Sequence, residues 1–275
     1  MAITAADVSK LRKSTGAGMM DCKKALTEAE GDFDKAVEII RKKGQAIANK
    51  RADREATEGV VLAKVSADAK TGIMIVLNCE TDFVAKNESY VDFATSILDA
   101  ALAADAADLD AVKALDMNGQ TVQDLVTEQT GVIGEKLDLS HFDKVSAEKV
   151  VAYIHPGNKL ATLVGFNQAD FDEQVGKDVA MQAAAMAPVA LDENSVPADV
   201  KEKELEIGKE MARNEGKPEA MLEKIAMGRL NKFFKESTLM NQAFVKDNKV
   251  SIKQYLDNSN KGLAAVDFKR FTLNA

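Results

Sequence analysis

IMIVLNCETDFVAKN, residues 73–87, carries the chain from an apolar strand into a helix, and this junction sets the pattern of the fold. The apolar run 73–77 is typical of a buried strand, and after Asn87 apolar residues recur every three or four positions, as on one face of a helix. Asp82 and Phe83 therefore place a carboxylate beside a large aromatic ring at the boundary between the two elements.

The same pattern of hairpin and helix occurs twice in the chain. Strands are predicted over residues 60–65 and 73–78 in the first copy, and over residues 150–155 and 160–166 in the second. The helix of the second copy is expected to open near Phe171. We interpret the two segments as a degenerate internal repeat, which favours a core of antiparallel sheet.

The repeat bears directly on Phe83. Its counterpart, Phe171, shares a predicted helical face with Val175 and Val179 and therefore has the pattern of a core residue. By analogy Phe83 could pack beneath the end of its strand, which is the commoner position for an aromatic side chain. The alternative is that the first copy turns its ring outward, and the burial of the two rings distinguishes these interpretations.

Residues 1–55 are predicted to form a small helical domain followed by a linker. Thr4 with Asp7 matches a capping box, and the apolar spacing predicts three helices within residues 4–44. A unit of about 45 residues buries little surface by itself. A face of this domain is therefore a candidate binding surface for a partner.

The side chains of Leu11, Met19 and Met20 form an apolar region of this domain that supports two interpretations. Methionine fills irregular cores, and it also lines surfaces that adapt to a partner. For Met19 and Met20, the residues alone support core packing and an exposed binding face about equally.

The remaining residues are predicted to form a first core subdomain over residues 56–140 and a second over residues 141–275. An antiparallel helical hairpin is inserted in the second at about residues 196–230. Its faces are too polar for burial on all sides, so we expect it to reach into solvent or to meet another chain, including a second copy of this one. The predicted fold class is α+β.

The charge balance, with 44 acidic and 36 basic residues and a net charge of −8, argues against nucleic acid as the main ligand. A protein surface is the better interpretation, and the basic stretch 41–54 is predicted to be a solvated linker helix. No apolar run reaches the ~18 residues of a membrane span, and no secretory segment opens the chain. We therefore expect a cytoplasmic protein without membrane contact.

The sequence offers little for covalent chemistry. Phosphate-binding loops, His-Glu-x-x-His zinc pairs and nucleophile elbows do not occur in it, so we predict no catalytic residue, cofactor or metal. The only histidines are His141 and His155, and a thiol–imidazole pair would require one of them beside Cys22 or Cys79. The two cysteines are expected to be small buried hydrophobic residues.

Three separated motifs resemble those of the bacterial elongation factor Ts family. The first is Leu11-Arg12 with residues 15–26, the second is residues 81–87, and the third lies within residues 228–245. The motifs occur in the family order and together span most of the chain.

The resemblance implies a guanine nucleotide exchange factor, not an enzyme, that binds GDP-bound elongation factor Tu, expels GDP and leaves when GTP enters. It also implies a ubiquitin-associated fold for the amino-terminal domain, while the charge balance argues against direct contact with nucleic acid. The residues that it assigns to partner binding are Thr81, Asp82, Phe83 and Val84 at the partner's magnesium site, Leu11, Arg12, Met19 and Met20 on a docking face, and His155 within the motif Tyr153-Ile154-His155.

A second hypothesis, from another class, is a protein-binding or chaperone-like module built on the amino-terminal helices and the helical hairpin. It has the same fold but gives Asp82 and Phe83 no function. Release of GDP from a translational GTPase distinguishes the two hypotheses.

Overall fold

The computed structural model describes residues 3–274, and these residues form two compact units. The first unit contains the residues up to 62, residues 75–142 and the last residues after 272. The second unit contains residues 63–74 and 143–272.

Helices and strands follow one another in the order expected for an α+β fold, with the helices concentrated at the amino terminus and after each hairpin. The helices are α1 (Ala5–Thr15), α2 (Met19–Glu28), α3 (Phe33–Arg51), α4 (Asp82–Ala85), α5 (Glu88–Ala103), α6 (Leu109–Ala114), α7 (Val122–Ile133), α8 (Glu173–Met186), α9 (Ala198–Asn214), α10 (Leu222–Ser237) and α11 (Ile252–Ser259). The strands are β1 (Glu58–Val65), β2 (Thr71–Cys79), β3 (Asp138–Ser146), β4 (Lys149–Ile154), β5 (Leu160–Phe166), β6 (Ala243–Phe244), β7 (Asp247–Ser251) and β8 (Ala265–Thr272).

The first three helices form the predicted helical unit. The side chain of Thr4 and that of Asp7 make the reciprocal hydrogen bonds of a capping box at the start of α1, as predicted. Leu11, Cys22 and Ala36, one from each helix, are completely buried in its small core. The expected end of the third helix before Gly44 is wrong, because α3 continues to Arg51.

α3 continues because it packs against α7, and glycines make this contact close. A Cβ atom placed on Gly131 would lie only 2.2 Å from the Cα atom of Gly44, so neither backbone leaves room for a side chain between them. This contact was not predicted from the sequence, since residues 44 and 131 lie far apart along the chain. It ties the helical unit to α7 within the first compact unit.

Strands β1, β2 and β3 form one sheet in that order, and β4, β5 and β8 form another. In the second sheet both neighbouring pairs are antiparallel, with Val164 of β5 paired to Val151 and to Phe268 on its two sides. A helix follows each of the two hairpins, which confirms the predicted arrangement and the α+β class. Strand β3 was not predicted.

α9 and α10 form the predicted helical hairpin, which is longer than expected because α10 continues to Ser237. Gly208 of α9 faces Ala226 of α10 closely, since a Cβ atom on Gly208 would lie 3.1 Å from the Cα atom of Ala226. α9 buries only Gly208 and Ala212 along its length. None of the helices within residues 3–274 combines the length and the apolar character that a transmembrane segment requires.

Candidate functional site

The predicted partner-binding motif, residues 81–84, lies where β2 ends and the single-turn helix α4 begins. Thr81 is the N-cap of α4, and its hydroxyl oxygen accepts the backbone N–H of Val84 at 3.4 Å, as threonine commonly does at this position. Asn87 then caps α5 by accepting the backbone N–H of Ser89 at 3.0 Å. We refer to residues 81–84 as the Phe83 turn.

The ring of Phe83 is 83% exposed. This confirms the expectation of an outward-facing ring, and the alternative in which Phe83 packs under the strand end is wrong. Asp82 and Val84 beside it are half-buried. The ammonium of Lys86 lies 2.6 Å from the Asp82 carboxylate, and this hydrogen bond raises the pKa of Lys86. An aromatic ring and a paired carboxylate therefore lie together at the surface.

Phe171, the counterpart of Phe83, is half-buried and packs against the core of the second unit. Its ring centre lies 4.9 Å from that of Phe166, and the Lys149 ammonium covers the ring at 4.3 Å. The expectation that Phe171 belongs to the core is confirmed, although it precedes Asp172, the N-cap of α8, and is not part of the helix.

The base of the Phe83 turn is fixed by a residue distant in sequence. The Glu135 carboxylate accepts hydrogen bonds from both the backbone N–H of Thr81, at 3.0 Å, and its hydroxyl, at 2.7 Å. Glu135 follows Gly134, whose left-handed backbone, φ 81°, ends α7. The end of α7 is thus directed at the start of α4.

Glu80, immediately before the turn, is held by two further partners. Nη1 of Arg51 lies 2.8 Å from each of its carboxylate oxygens, and the backbone N–H of Lys136 donates to it at 2.6 Å. Burial alone would raise the pKa of Glu80, but the Lys136 N–H and the Arg51 guanidinium outweigh burial and lower it. Sequence analysis missed Arg51, Glu135 and Lys136 because they meet Glu80 and Thr81 only through the fold.

The predicted docking residues separate into exposed and buried groups. Met19 and Met20 are 60% and 63% exposed, and they line one groove together with the exposed Arg12 and the buried Val8. The placement of Leu11 on this surface is wrong, because Leu11 is completely buried. The reason is its position on the inward face of α1. We refer to Arg12, Met19 and Met20 as the docking face.

His155 lies in the second unit, directly after β4, and is exposed. Its Nδ1 atom is 2.9 Å from the hydroxyl of Tyr153, and its backbone N–H donates to the carbonyl of Leu160 at 2.8 Å. The hairpin turn therefore fixes the backbone of His155, while its ring remains accessible. Cys22 and Cys79 are both buried thiols, as expected.

The chain matches known proteins over its full length. The family model described as elongation factor TS matches residues 80–275. The chain is 56% identical to elongation factor Ts of Amoebophilus asiaticus, with 100% of both chains covered. It is 53% identical to elongation factor Ts of Flavobacterium psychrophilum, with 98% of each covered, and 50% identical to that of Porphyromonas gingivalis, with 100% of each covered.

Proposed function

This chain belongs to the elongation factor Ts family, and we propose on that basis that it is a cytoplasmic exchange factor that releases GDP from elongation factor Tu. The observation that carries the proposal is the solvent-exposed ring of Phe83, 83% accessible, beside Asp82 on a turn fixed at its base. A large apolar side chain held in water is available for burial in a partner.

Exchange of this kind is allosteric coupling. The factor and the nucleotide bind the same partner, and each weakens the binding of the other by the same factor. A thousandfold acceleration of release requires about 4 kcal/mol of preferential binding to the transition state. Burial of one Phe side chain contributes roughly 1.5 to 3 kcal/mol, so Phe83 supplies a large part of this, and other contacts supply the rest. No covalent step, cofactor or resident metal is required.

The residues of the site have separate roles in this proposal. Phe83 enters the nucleotide domain of the partner, and Asp82 disturbs the groups that organise its magnesium ion. Loss of that ion removes the main charge that neutralises the diphosphate. The docking face supplies affinity without driving release, and His155 adds a further contact from the second unit.

The test is a fluorescent GDP analogue bound to elongation factor Tu, whose release is followed by stopped flow with and without the chain. We expect the release rate to rise with the concentration of the chain and then to saturate. A rate that remains at the intrinsic value would overturn the proposal and favour the protein-binding module, which requires no effect on the nucleotide.

The helical hairpin supports a second, weaker association, between two copies of the chain. Ile207 and Met211 of α9 and Met227 of α10 are large apolar side chains that remain exposed. Their burial would favour self-association. Sedimentation over a range of concentrations tests this, and a constant monomer mass up to high concentration would exclude it.

A further inference from the structure

We propose that Arg51, Glu80, Glu135 and Lys136 form a clasp that positions the ring of Phe83 for nucleotide exchange. The inference rests on the proposed exchange function and adds to it a set of positioning residues outside the partner-facing turn. The clasp joins the last turn of α3, the residue after β2 and the residues after α7, at the point where α4 begins.

α4 is too short to fix its own direction. It is a single turn, Asp82–Ala85, and a helix of this length forms too few internal hydrogen bonds to be stable alone. Its direction is therefore set at Thr81, whose backbone N–H and hydroxyl both donate to the carboxylate of Glu135, at 3.0 and 2.7 Å. Because Phe83 is the second residue of α4, these two bonds determine where the ring points.

Glu80 and Lys136 form the second half of the clasp. The Glu80 carboxylate binds Arg51 at the end of α3 and the backbone N–H of Lys136. Nζ of Lys136 donates in turn to the carbonyl oxygens of Ala52 and Arg54, at 2.8 and 2.9 Å. The end of α3 is thus bound to the junction by two independent sets of hydrogen bonds.

α3 connects the clasp with the docking face. It packs with α2, which carries Met19 and Met20, in the core that contains Cys22, and it crosses α7 where Gly44 meets Gly131. The helices that carry the docking face and the turn that carries the Phe83 ring are therefore held in a fixed relative position. A partner held at the docking face consequently meets Phe83 in a defined direction.

An ordinary stabilising ion pair is the competing interpretation of the Arg51–Glu80 contact. Exposed ion pairs contribute little to folding, but the Glu80 side chain is only 16% exposed, and its carboxylate also accepts a backbone N–H. A purely stabilising role would change the unfolding transition and leave exchange by the folded protein intact. A positioning role changes the maximal exchange rate of the folded protein.

The test uses Glu135→Gln in the full chain, with release of fluorescent GDP from elongation factor Tu as the readout. We expect the maximal rate to fall about tenfold, because one charged acceptor serving two donors is lost. The half-saturating concentration should remain within about twofold, because the docking face is intact. Glu128→Gln is the matched control, since Glu128 is also a half-buried glutamate of this region, on α7, with an ion-pair partner, Arg41. It should leave both values unchanged.

A double-mutant cycle tests whether Glu135→Gln lowers the exchange rate through the position of the Phe83 ring. If the clasp acts only through the ring, Glu135→Gln should cause no further loss in a Phe83→Ala background. Full additivity of the two losses, or an unchanged maximal rate in the single variant, would overturn the proposal. If the parent chain does not accelerate GDP release from elongation factor Tu, the proposed exchange function is wrong. The clasp is then tested separately, by a fluorescence measurement on the chain without its partner.

That measurement follows the turn without any partner. The chain contains no tryptophan, so Phe83→Trp introduces a single indole at the tip of the turn. Its time-resolved fluorescence anisotropy should show a larger fast component when Glu135→Gln or Arg51→Lys is added, and no change with Glu128→Gln. Arg51→Lys replaces the guanidinium, whose Nη1 atom contacts both carboxylate oxygens of Glu80, with a shorter ammonium group. Because position 51 is partly exposed, this variant should retain the fold. Equal anisotropy decays in all variants would overturn the clasp.

Discussion

The two hairpin-plus-helix copies differ in the exposure of their corresponding aromatic residues, Phe83 and Phe171. In the first copy the helix begins at Asp82, directly after the cap at Thr81, and Phe83 stands in solvent. In the second copy the helix begins only after Asp172, and Phe171 remains on the preceding loop, where it packs on Phe166. The exposed ring thus belongs to a residue inside the helix, and the ring that packs against the core belongs to a residue that precedes the helix.

On the proposed function, this difference separates a residue that stabilises the fold from one that acts on a partner. Phe171 packs against the core of its own unit, whereas the ring of Phe83 is mostly exposed to solvent. A partially buried ring stabilises the fold in which it lies, while an exposed ring contributes little until a partner covers it.

The largest effect is expected from Phe171→Ala on stability. Removal of a ring that packs on Phe166 should lower the free energy of unfolding by about 2 to 3 kcal/mol, at the lower end for a core Phe→Ala change because the ring is only half-buried. Phe83→Ala is the matched control and should change it by less than about 0.5 kcal/mol. Urea titration of both variants measures this, and equal losses would abolish the contrast.

Exchange should show the reverse order. Phe83→Ala should lower the maximal rate of GDP release from elongation factor Tu by roughly tenfold to a hundredfold, since about 1.5 to 3 kcal/mol of burial is lost. Phe83→Leu, which keeps much of the apolar surface, should retain part of the rate. Stopped-flow measurements at saturating concentration decide this, and a parental rate for Phe83→Ala would refute the role of the ring.

The docking face shows whether exposed apolar side chains other than Phe83 also act on the release of GDP, or only on binding to the partner. Met19→Ala with Met20→Ala should weaken association by about 1 to 2 kcal/mol, roughly five- to thirtyfold in Kd, without a change in maximal rate. Met186→Ala, at an exposed methionine that ends α8, is the control and should leave the Kd unchanged. Isothermal titration with GDP-bound elongation factor Tu measures the affinity. A lower maximal rate would assign these methionines to release.

The smallest expected effect is on stability at acid pH. Each unit contains a carboxylate with little exposure to solvent, Glu80 in the first and Asp178 in the second. Burial raises the pKa of Asp178, but hydrogen bonds from Lys246, Gln174 and Tyr255 outweigh it, so folding lowers the pKa of Asp178, as it lowers that of Glu80. The unfolded chain therefore binds more protons than the folded chain in this range, and stability rises with pH.

The contribution of each carboxylate should be complete above its usual pKa, 3.8 for Asp178 and 4.5 for Glu80, and should be lost as the pH falls through the lowered value. Asp178→Asn and Glu80→Gln should each flatten the decline in unfolding free energy between about pH 5 and pH 3. Urea unfolding across this range measures the slope, and slopes equal to the parent's would show that the two groups titrate alike in both states.

Much of the secondary structure could be predicted from local sequence, but the exposure of Phe83 could not, because the residues alone favoured burial and only the family resemblance implied an outward ring. Strand and helix periodicity located both hairpins and the helices after them, and the Thr4 capping box fixed the start of α1. Such features depend on neighbours a few residues apart. The division of the chain at residues 55 and 140 stays a prediction.

The errors and omissions have a common cause in long-range contacts. Leu11 was expected on the surface, but the packing of α1 against two other helices buries it. α3 extends beyond Gly44 because α7 is its partner, and the Lys136 N–H reaches Glu80 across 56 positions of sequence. No local pattern contains this information, so the support of the Phe83 turn appears only in the folded chain.

Because the Phe83 ring contributes little to the stability of the fold, its loss matters most in a cell that contains both altered and intact copies of the chain. A chain that lacks this ring but keeps Met19 and Met20 exposed would accumulate normally and still engage its target. It would then occupy elongation factor Tu unproductively and compete with intact copies. On the proposed mechanism, loss of Phe83 is therefore a dominant-negative change, and loss of the docking face is a recessive one.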